Sequence, residues 1–282
     1  MRDLLANATA TLAHAGVASP RHDAHALAAH LLNVEPLQLP FLNLTDLPDQ
    51  HAFRRSYAEL IARRAAREPL QHIVGTAAFG PLMLRVGPGV FIPRPETEWL
   101  ADWVVTALAG TPQPIVVDLC AGSGAIAGFI AQARPDATVY AVELSPAALE
   151  YTHANVDPLG VKVVAGDATD LGVLPQVQGQ VHAVVTNPPY VPQSDELQPE
   201  VYADPDMAVF AGADGLDLIP GLLPVAQRLL RPGGIFACEH DDSHAVGVEK
   251  LLHVAGFREV RGHRDLTGRP RFSTAWTELT TT

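Results

Sequence analysis

The chain has 282 residues, enough for two domains or one large one, and its 31 acidic against 19 basic residues give a formal charge of −12. That balance argues against long-lived, sequence-independent DNA binding, which needs basic side chains paired with phosphates. Cys120 and Cys238 are too few for a disulfide framework and no zinc spacing surrounds them; with no leader-like or membrane-length apolar run, a soluble protein of the cytoplasm is expected.

Residues 1–73 read as helices. Ser19-Pro20 is a cap and first-turn pair, followed by Ala24, Leu27, Ala28 and Leu31 at helical spacing. A later helix carries Phe53, Tyr57, Leu60 and Ile61 on one face, together with Arg54, Arg55, Arg63, Arg64 and Arg67. These arginines form either a solvated face or a partner-binding patch. Residues 74–97 change pattern: Leu82, Leu84 and Val86 alternate with other residues between Gly80-Pro81 and Gly87-Pro88-Gly89, which predicts a β-hairpin linker. A helix over Trp99–Leu108 then opens a domain covering 98–282.

From residue 114 short apolar strands alternate with helices. Ile115–Leu119, Thr138–Val142, Lys162–Ala165, Val181–Thr186 and Ile235–Glu239 are the expected strands. A helix over Leu216–Leu230 is expected to break at Arg231-Pro232-Gly233-Gly234 before the fifth strand. This alternation predicts a parallel sheet covered on both faces. Glu259–Arg264 and Phe272–Glu278 read as a terminal strand pair with no helix between them.

The first strand runs into Cys120-Ala121-Gly122-Ser123-Gly124, a turn whose glycines permit tight bending and close ligand approach. Gly122-x-Gly124-x-x-Ala127 fits the dinucleotide fingerprint, although such a match also describes a plain strand–helix turn. Cys120 reads as a small buried residue, not a nucleophile. Glu143, at the end of the second strand, is placed to accept from two ribose hydroxyls, and equally to sit favourably before the helix starting at Ser145-Pro146. After the third strand, Asp167 is either an acceptor for an adenine amino group or a turn aspartate, with the Ala168 backbone next to the ring. Nicotinamide and methyl-donor cofactors both fit these features.

Asn187-Pro188-Pro189-Tyr190 separates the two. Each proline lacks an N–H, has a fixed φ and restricts the residue before it, so the loop is stiff and its carbonyls are held outward. Asn187 adds an acceptor and a donor. The loop suits a planar –NH2 group, and transfer to an amide or amine nitrogen is the chemistry it suggests. Ligands in an open parallel sheet collect where strand order switches, and the first and fourth strands are the natural neighbours there. Hydride transfer has no use for such a clamp.

On these residues the chain resembles the class I S-adenosylmethionine methyltransferases, and more specifically the N5-glutamine methyltransferases of peptide chain release factors, the HemK/PrmC family. The resemblance rests on Glu68-Pro69-Leu70-Gln71 with Gly75, Ile92-Pro93-Arg94-Pro95-Glu96-Thr97-Glu98, the glycine loop, Asn187–Tyr190, Gly212-Ala213-Asp214-Gly215-Leu216, and Asp265-Leu266 with Gly268-Arg269. It implies an α/β fold: a Rossmann-like seven-stranded methyltransferase domain whose last strand is antiparallel, a small N-terminal helical domain for substrate recognition, and a β-hairpin linker. It implies transfer of a methyl group from S-adenosylmethionine, leaving S-adenosylhomocysteine, to the glutamine of a release factor's Gly-Gly-Gln motif. Cys120, Ala121, Gly122, Ser123, Gly124, Glu143, Asp167, Ala168 and Asn187 are then expected at the cofactor. Asn187, Pro188, Pro189, Tyr190 and Arg94 are expected at the substrate, with Asn187, Pro188 and Tyr190 as the catalytic set. No metal, membrane or stable nucleic-acid partner is expected; His240 and His244, four apart, lack a ligand framework.

The chain departs from the family pattern in places. Cys120-Ala121 replaces glycine and threonine, Ala168 replaces a larger side chain, Arg67 replaces a glycine, and Glu239-His240-Asp241-Asp242 replaces Glu-x-Gly. A ribosomal-protein glutamine methyltransferase and an adenine-specific nucleic-acid methyltransferase are the competing activities, the latter needing to unstack its base. A non-catalytic nucleotide-binding module sits poorly with an intact clamp and strand-end acid.

Overall fold

Leu5, Ala8 and Leu12 recur at helical spacing along α1 (Arg2–His14), as do Ala24, Leu27 and Ala28 along α2 (Pro20–Leu32) and Phe53, Tyr57 and Ile61 along α3 (Gln50–Ala65). These faces close on one another, with the short α4 (Leu70–Val74), as one apolar core. The computed structural model describes residues 1–192, 199–212 and 214–279; Ala213 of the Gly212–Leu216 element lies outside them. The chain divides into two compact units, Met1–Thr76 with Gln198–Ala203, and Ala77–Leu197 with Asp204–Thr282.

In the first unit Ser19 stands at the N-cap and Pro20 in the first turn, but the serine side chain makes no capping bond. The Tyr57 hydroxyl donates to the Ala24 carbonyl at 2.8 Å, tying α3 to α2. Three of these five arginines are engaged inside the unit, and Arg67 lies beyond the end of α3 with φ 70°. Arg63 pairs with Glu68, and Arg67 with Glu200. Arg64 is buried between Asp23 at 2.7 Å and Glu200 at 3.0 Å. Ion pairing, not open solvation, therefore occupies the C-terminal half of that face.

The second unit contains, from Ala77 on, the hairpin of β1 (Thr76–Phe79) and β2 (Leu82–Arg85), then α5 (Thr97–Ala107), β3 (Ile115–Leu119), α6 (Ala125–Ala133), β4 (Thr138–Glu143), α7 (Pro146–Val156), β5 (Lys162–Ala165) and β6 (Val181–Thr186). It continues with α8 (Asp206–Val209), α9 (Ile219–Leu229), β7 (Leu230–Glu239), α10 (Ala245–Val254), β8 (Arg258–Arg264) and β9 (Pro270–Trp276). Seven strands form one sheet in the order β5-β4-β3-β6-β7-β9-β8. The pairs from β5 to β7 are parallel, and β9 runs antiparallel to both β7 and β8. This is the expected α/β architecture with its terminal strand pair.

Strand periodicity splits the core. Val117, Leu119, Val142 and Val184 face α9 and α10 side chains such as Leu222 and Val248. Val116, Val139, Ala141 and Val185 face the side of Leu100, Ile130 and Val156 from α5, α6 and α7. One expected boundary is corrected. The fifth strand of the parallel set begins at Leu230, not Ile235, because Leu230 pairs with Val181 before the register jumps to Ile235 opposite Ala183. Arg231-Pro232-Gly233-Gly234 is thus a bulge within β7, not a break before it.

Removing one partner of a buried ion pair strands the other charge. Arg64→Ala is therefore expected to destabilise the helical unit by about 3 kcal/mol, read as a lower urea midpoint.

Candidate active site

β3 and β6 lie side by side with Leu119 opposite Thr186, and the Thr186 hydroxyl donates to the Leu119 carbonyl at 2.7 Å. From β3 the chain runs outward to β4 and β5, and from β6 the other way, so the strand order switches between them. The loops leaving their carboxyl ends, Cys120–Gly124 and Asn187–Tyr190, therefore emerge as neighbours.

The glycine loop is held from all sides. Gly124 has φ 80° and a Cβ there would lie 2.6 Å from Val156 Cγ1, so α7 packs directly on its backbone. The Ala121 N–H donates to the Val142 carbonyl at 3.0 Å, the Gly122 carbonyl accepts from Thr152 at 2.7 Å, and the Ser123 carbonyl accepts from Asn155 at 2.9 Å. Buried Asp118 accepts the Ala127 N–H at 3.0 Å, joining β3 to the first turn of α6. Its other oxygen has no partner among the described residues, and burial pushes the carboxyl up to about 8. Loss of water, with Glu143 nearby, raises the Cys120 thiol to about 12, where it is no nucleophile at neutral pH.

Glu143 is buried and reaches back across the loop. One carboxylate oxygen accepts the Gly122 N–H and the other the Ser145 N–H, each at 2.7 Å. Each oxygen keeps a further lone pair for a hydroxyl donor. Asp167 accepts from both the backbone and the hydroxyl of Thr169 through one oxygen, at 2.8 and 2.7 Å, in the geometry of a turn aspartate. Ala168 is buried against the core.

Pro188 is buried while Asn187, Pro189 and Tyr190 are half-buried. The Asn187 side-chain amide donates to Thr97 Oγ1 at 3.3 Å, and the Tyr190 hydroxyl donates to Glu239 Oε1 at 3.2 Å. Burial pushes the Glu239 carboxyl up to about 7, and burial with the neighbouring Glu239 carboxylate pushes the Tyr190 phenol up. Gly215 explains part of the Gly212–Leu216 element: with φ 72°, its Cβ would lie 2.3 Å from the Tyr190 carbonyl oxygen and 2.5 Å from the His244 ring. Arg94 faces Asp204 at 2.6 Å and stacks over Phe91, while Asp204 also accepts the Ile92 N–H at 3.1 Å. Both ring nitrogens of His240 are engaged, one by the Asp241 carbonyl and one by Ser273.

The loops predicted from sequence thus come together. The sequence reading missed three groups: Asp118, Thr97 and Glu239. Each left a signal, since Asp118 and Glu239 are acids within or ending apolar strands and Thr97 lies inside the Ile92–Glu98 segment.

Two families match the chain: the PrmC N-terminal domain over residues 3–75 and the methyltransferase small domain over residues 86–203. The chain is similar to the release factor glutamine methyltransferase of Corynebacterium glutamicum, with 50% identity covering 97% of each chain. It is 52% identical to the protein of that name from Mycolicibacterium smegmatis, covering 98% of this chain and 97% of that one. The chain belongs to the release factor glutamine methyltransferase family. Its fold is similar to that of the hMettl16 catalytic domain in complex with MAT2A 3'UTR hairpin 6, with TM-score 0.55 and 18% identity, covering 78% of this chain and 82% of that one.

Two side chains stand where glycine is conformationally apt. Cys120 has φ 63° and Arg67 φ 70°, both in the left-handed region that disfavours side chains. Arg67 forms its ion pair with Glu200 from that backbone. The Cys120 side chain packs against the core.

Gly215→Ala should push the Tyr190 backbone and lower turnover roughly tenfold, with circular dichroism unchanged. Cys120→Gly should keep cofactor affinity by calorimetry, whereas Cys120→Val, β-branched at positive φ, should lower both affinity and melting temperature.

Proposed function

We propose that this methyltransferase moves a methyl group from S-adenosylmethionine to the side-chain amide nitrogen of the glutamine in a release factor's Gly-Gly-Gln motif. The observation that carries this reading is the orientation of Asn187. Its NH2 faces Thr97, which leaves its oxygen as an acceptor beside the glycine loop. An acceptor fixed there recognises N–H groups.

The glycine loop fits the cofactor. A Cβ on Gly122 would meet nothing within 4 Å, so the loop has open space on that side. Glu143 can accept from ribose hydroxyls, with Cys120, Ala121, Gly122, Ser123, Gly124, Asp167, Ala168 and Asn187 lining the remainder. When bound, S-adenosylmethionine supplies an electrophilic methyl on a sulfonium.

An amide nitrogen is a weak nucleophile because its lone pair is delocalised into the carbonyl. The Asn187 oxygen and the Pro188 carbonyl each accept one N–H of the substrate amide. This orients the nitrogen and favours lone-pair density on the side facing the donor. Pro189 stiffens the loop and Tyr190 flanks the amide plane. The nitrogen's proton leaves to solvent after transfer, so no base of lasting charge is required. Arg94, held by Asp204, borders the substrate side. We assign substrate recognition to the helical domain 1–73, the linker role to 74–97 and catalysis to 98–282. A cytoplasmic site of action accords with a translation substrate.

Asn187→Ala should abolish turnover and weaken cofactor binding only moderately. Tritiated donor should label a release factor and lose that label when the Gly-Gly-Gln glutamine is replaced. Label instead in ribosomes or in a DNA oligonucleotide would overturn the substrate assignment.

A further inference from the structure

An arginine carries five N–H donors in one rigid plane, and a largely buried one needs acceptors for them. Arg271 stands near the start of β9 with 13% of its side chain exposed. Its Nε and Nη2 both donate to Asp265 Oδ2, at 3.3 and 3.0 Å. Nη1 makes no hydrogen bond among the described residues, and Glu96 Oε1 is 3.9 Å from it. One side of the guanidinium is thus unspent. Its mount is fixed. Asp265 Oδ1 accepts from the Thr267 hydroxyl and from the backbone N–H groups of Thr267 and Arg269, at 2.6, 2.8 and 3.1 Å. These bonds close the turn between β8 and β9.

The topology puts this group on the rim of the crevice. β9 runs antiparallel to β7, so its first residues lie at the carboxyl end of β7. The Arg271 carbonyl accepts the His240 N–H at 3.0 Å. Phe272 is paired with Glu239, which receives the Tyr190 hydroxyl. Glu96 precedes Thr97, which receives the Asn187 amide. The unspent N–H pair therefore stands beside the residues that hold both clamp side chains. Its chemistry selects the ligand. A guanidinium already paired with a carboxylate has little charge left for a second anion, and Glu96 repels one. An uncharged oxygen acceptor meets neither penalty. In a protein substrate that acceptor is a peptide carbonyl. The oxygen of the reacting amide is a poor choice, because a donor there draws the nitrogen lone pair further into the carbonyl.

We propose that Arg271 is a substrate-binding residue whose Nη1 donates to a main-chain carbonyl beside the target glutamine, with the Asp265–Arg269 turn as its mount. The proposal rests on the reading of a protein glutamine as methyl acceptor and adds a contact outside the reacting group. It also gives the Asp265-Leu266 and Gly268-Arg269 element a purpose. Gly268, at φ 81°, donates its N–H to the Asp265 carbonyl at 2.9 Å and so completes the turn that aims the guanidinium. A nucleic-acid substrate would bring phosphates to this rim, where a guanidinium flanked by two carboxylates serves them poorly.

The experiment uses the full chain and measures release-factor affinity by calorimetry with S-adenosylhomocysteine bound, beside steady-state turnover. Arg271→Gln should weaken that affinity and raise KM about tenfold, as for one charge-assisted hydrogen bond, with kcat and S-adenosylhomocysteine affinity changed less than about threefold. Arg271→Lys can still meet Asp265 with its ammonium but has no second fork. It should lose affinity as Arg271→Gln does while keeping the wild-type melting temperature. A merely structural role predicts otherwise: lysine would restore affinity together with stability, and that result would overturn the proposal. Wild-type affinity in both variants would overturn it as well. A fall in kcat with KM unchanged would move the contact onto the reacting amide and sink it. Inorganic phosphate that competes with the release factor in the wild type, and not in Arg271→Gln, would make this an anion site instead. If Arg271→Gln does not fold, Arg271→Lys still decides. A wild-type enzyme that leaves release factors unlabelled would sink the substrate reading and this contact with it, whereas normal labelling with unaffected variants would sink the contact alone.

Discussion

The parallel pairing of β3 with β6 governs the site. It places Leu119 opposite Thr186, with the threonine hydroxyl bonded across to the strand that precedes the glycine loop. Because the strand order reverses at this pair, no helix crosses over the two carboxyl ends, and the loops that leave them share one crevice. The glycine loop and the Asn-Pro-Pro-Tyr loop are separated by more than sixty positions in sequence, yet this single register brings them together. A shift of one residue would turn Thr186 away and point the apolar faces of both strands at the wrong helices.

Acids at or next to the ends of three parallel strands hold the segments around the crevice, each in a different way. Asp118 on β3 bonds the first turn of α6. Glu143 on β4 joins the glycine loop to the start of α7. Glu239 on β7 receives Tyr190. All three are buried, and burial raises Asp118 and Glu239 far enough to oppose their ionisation. The Asn187 and Tyr190 side chains are held by neighbours in the fold, Thr97 and Glu239.

Cys120 and Arg67 both carry side chains on a left-handed backbone. A side chain at positive φ costs on the order of 1 kcal/mol relative to glycine. At Arg67 the guanidinium engages Glu200, which offsets some of that cost. At Cys120 the compensation is packing against the core.

The sequence alone determined the strand–helix alternation, the antiparallel end of the sheet and the two loops that leave its central strands. These features are local: apolar periodicity, proline stiffness and glycine turns act within a few residues and can be read directly. The bulge at Arg231–Gly234 was read as a break because a Pro-Gly-Gly run gives the same local signal in both cases. Only the pairing of Leu230 with Val181 separates them. The roles of Thr97, Glu239 and Gly215 were likewise decided by the tertiary structure. Each depends on a partner far along the chain: Asn187 for Thr97, Tyr190 for Glu239, and the Tyr190 carbonyl and His244 for Gly215. A hydrogen bond or a close backbone approach between distant segments leaves no periodicity in the sequence, so only folding reveals which group aims which.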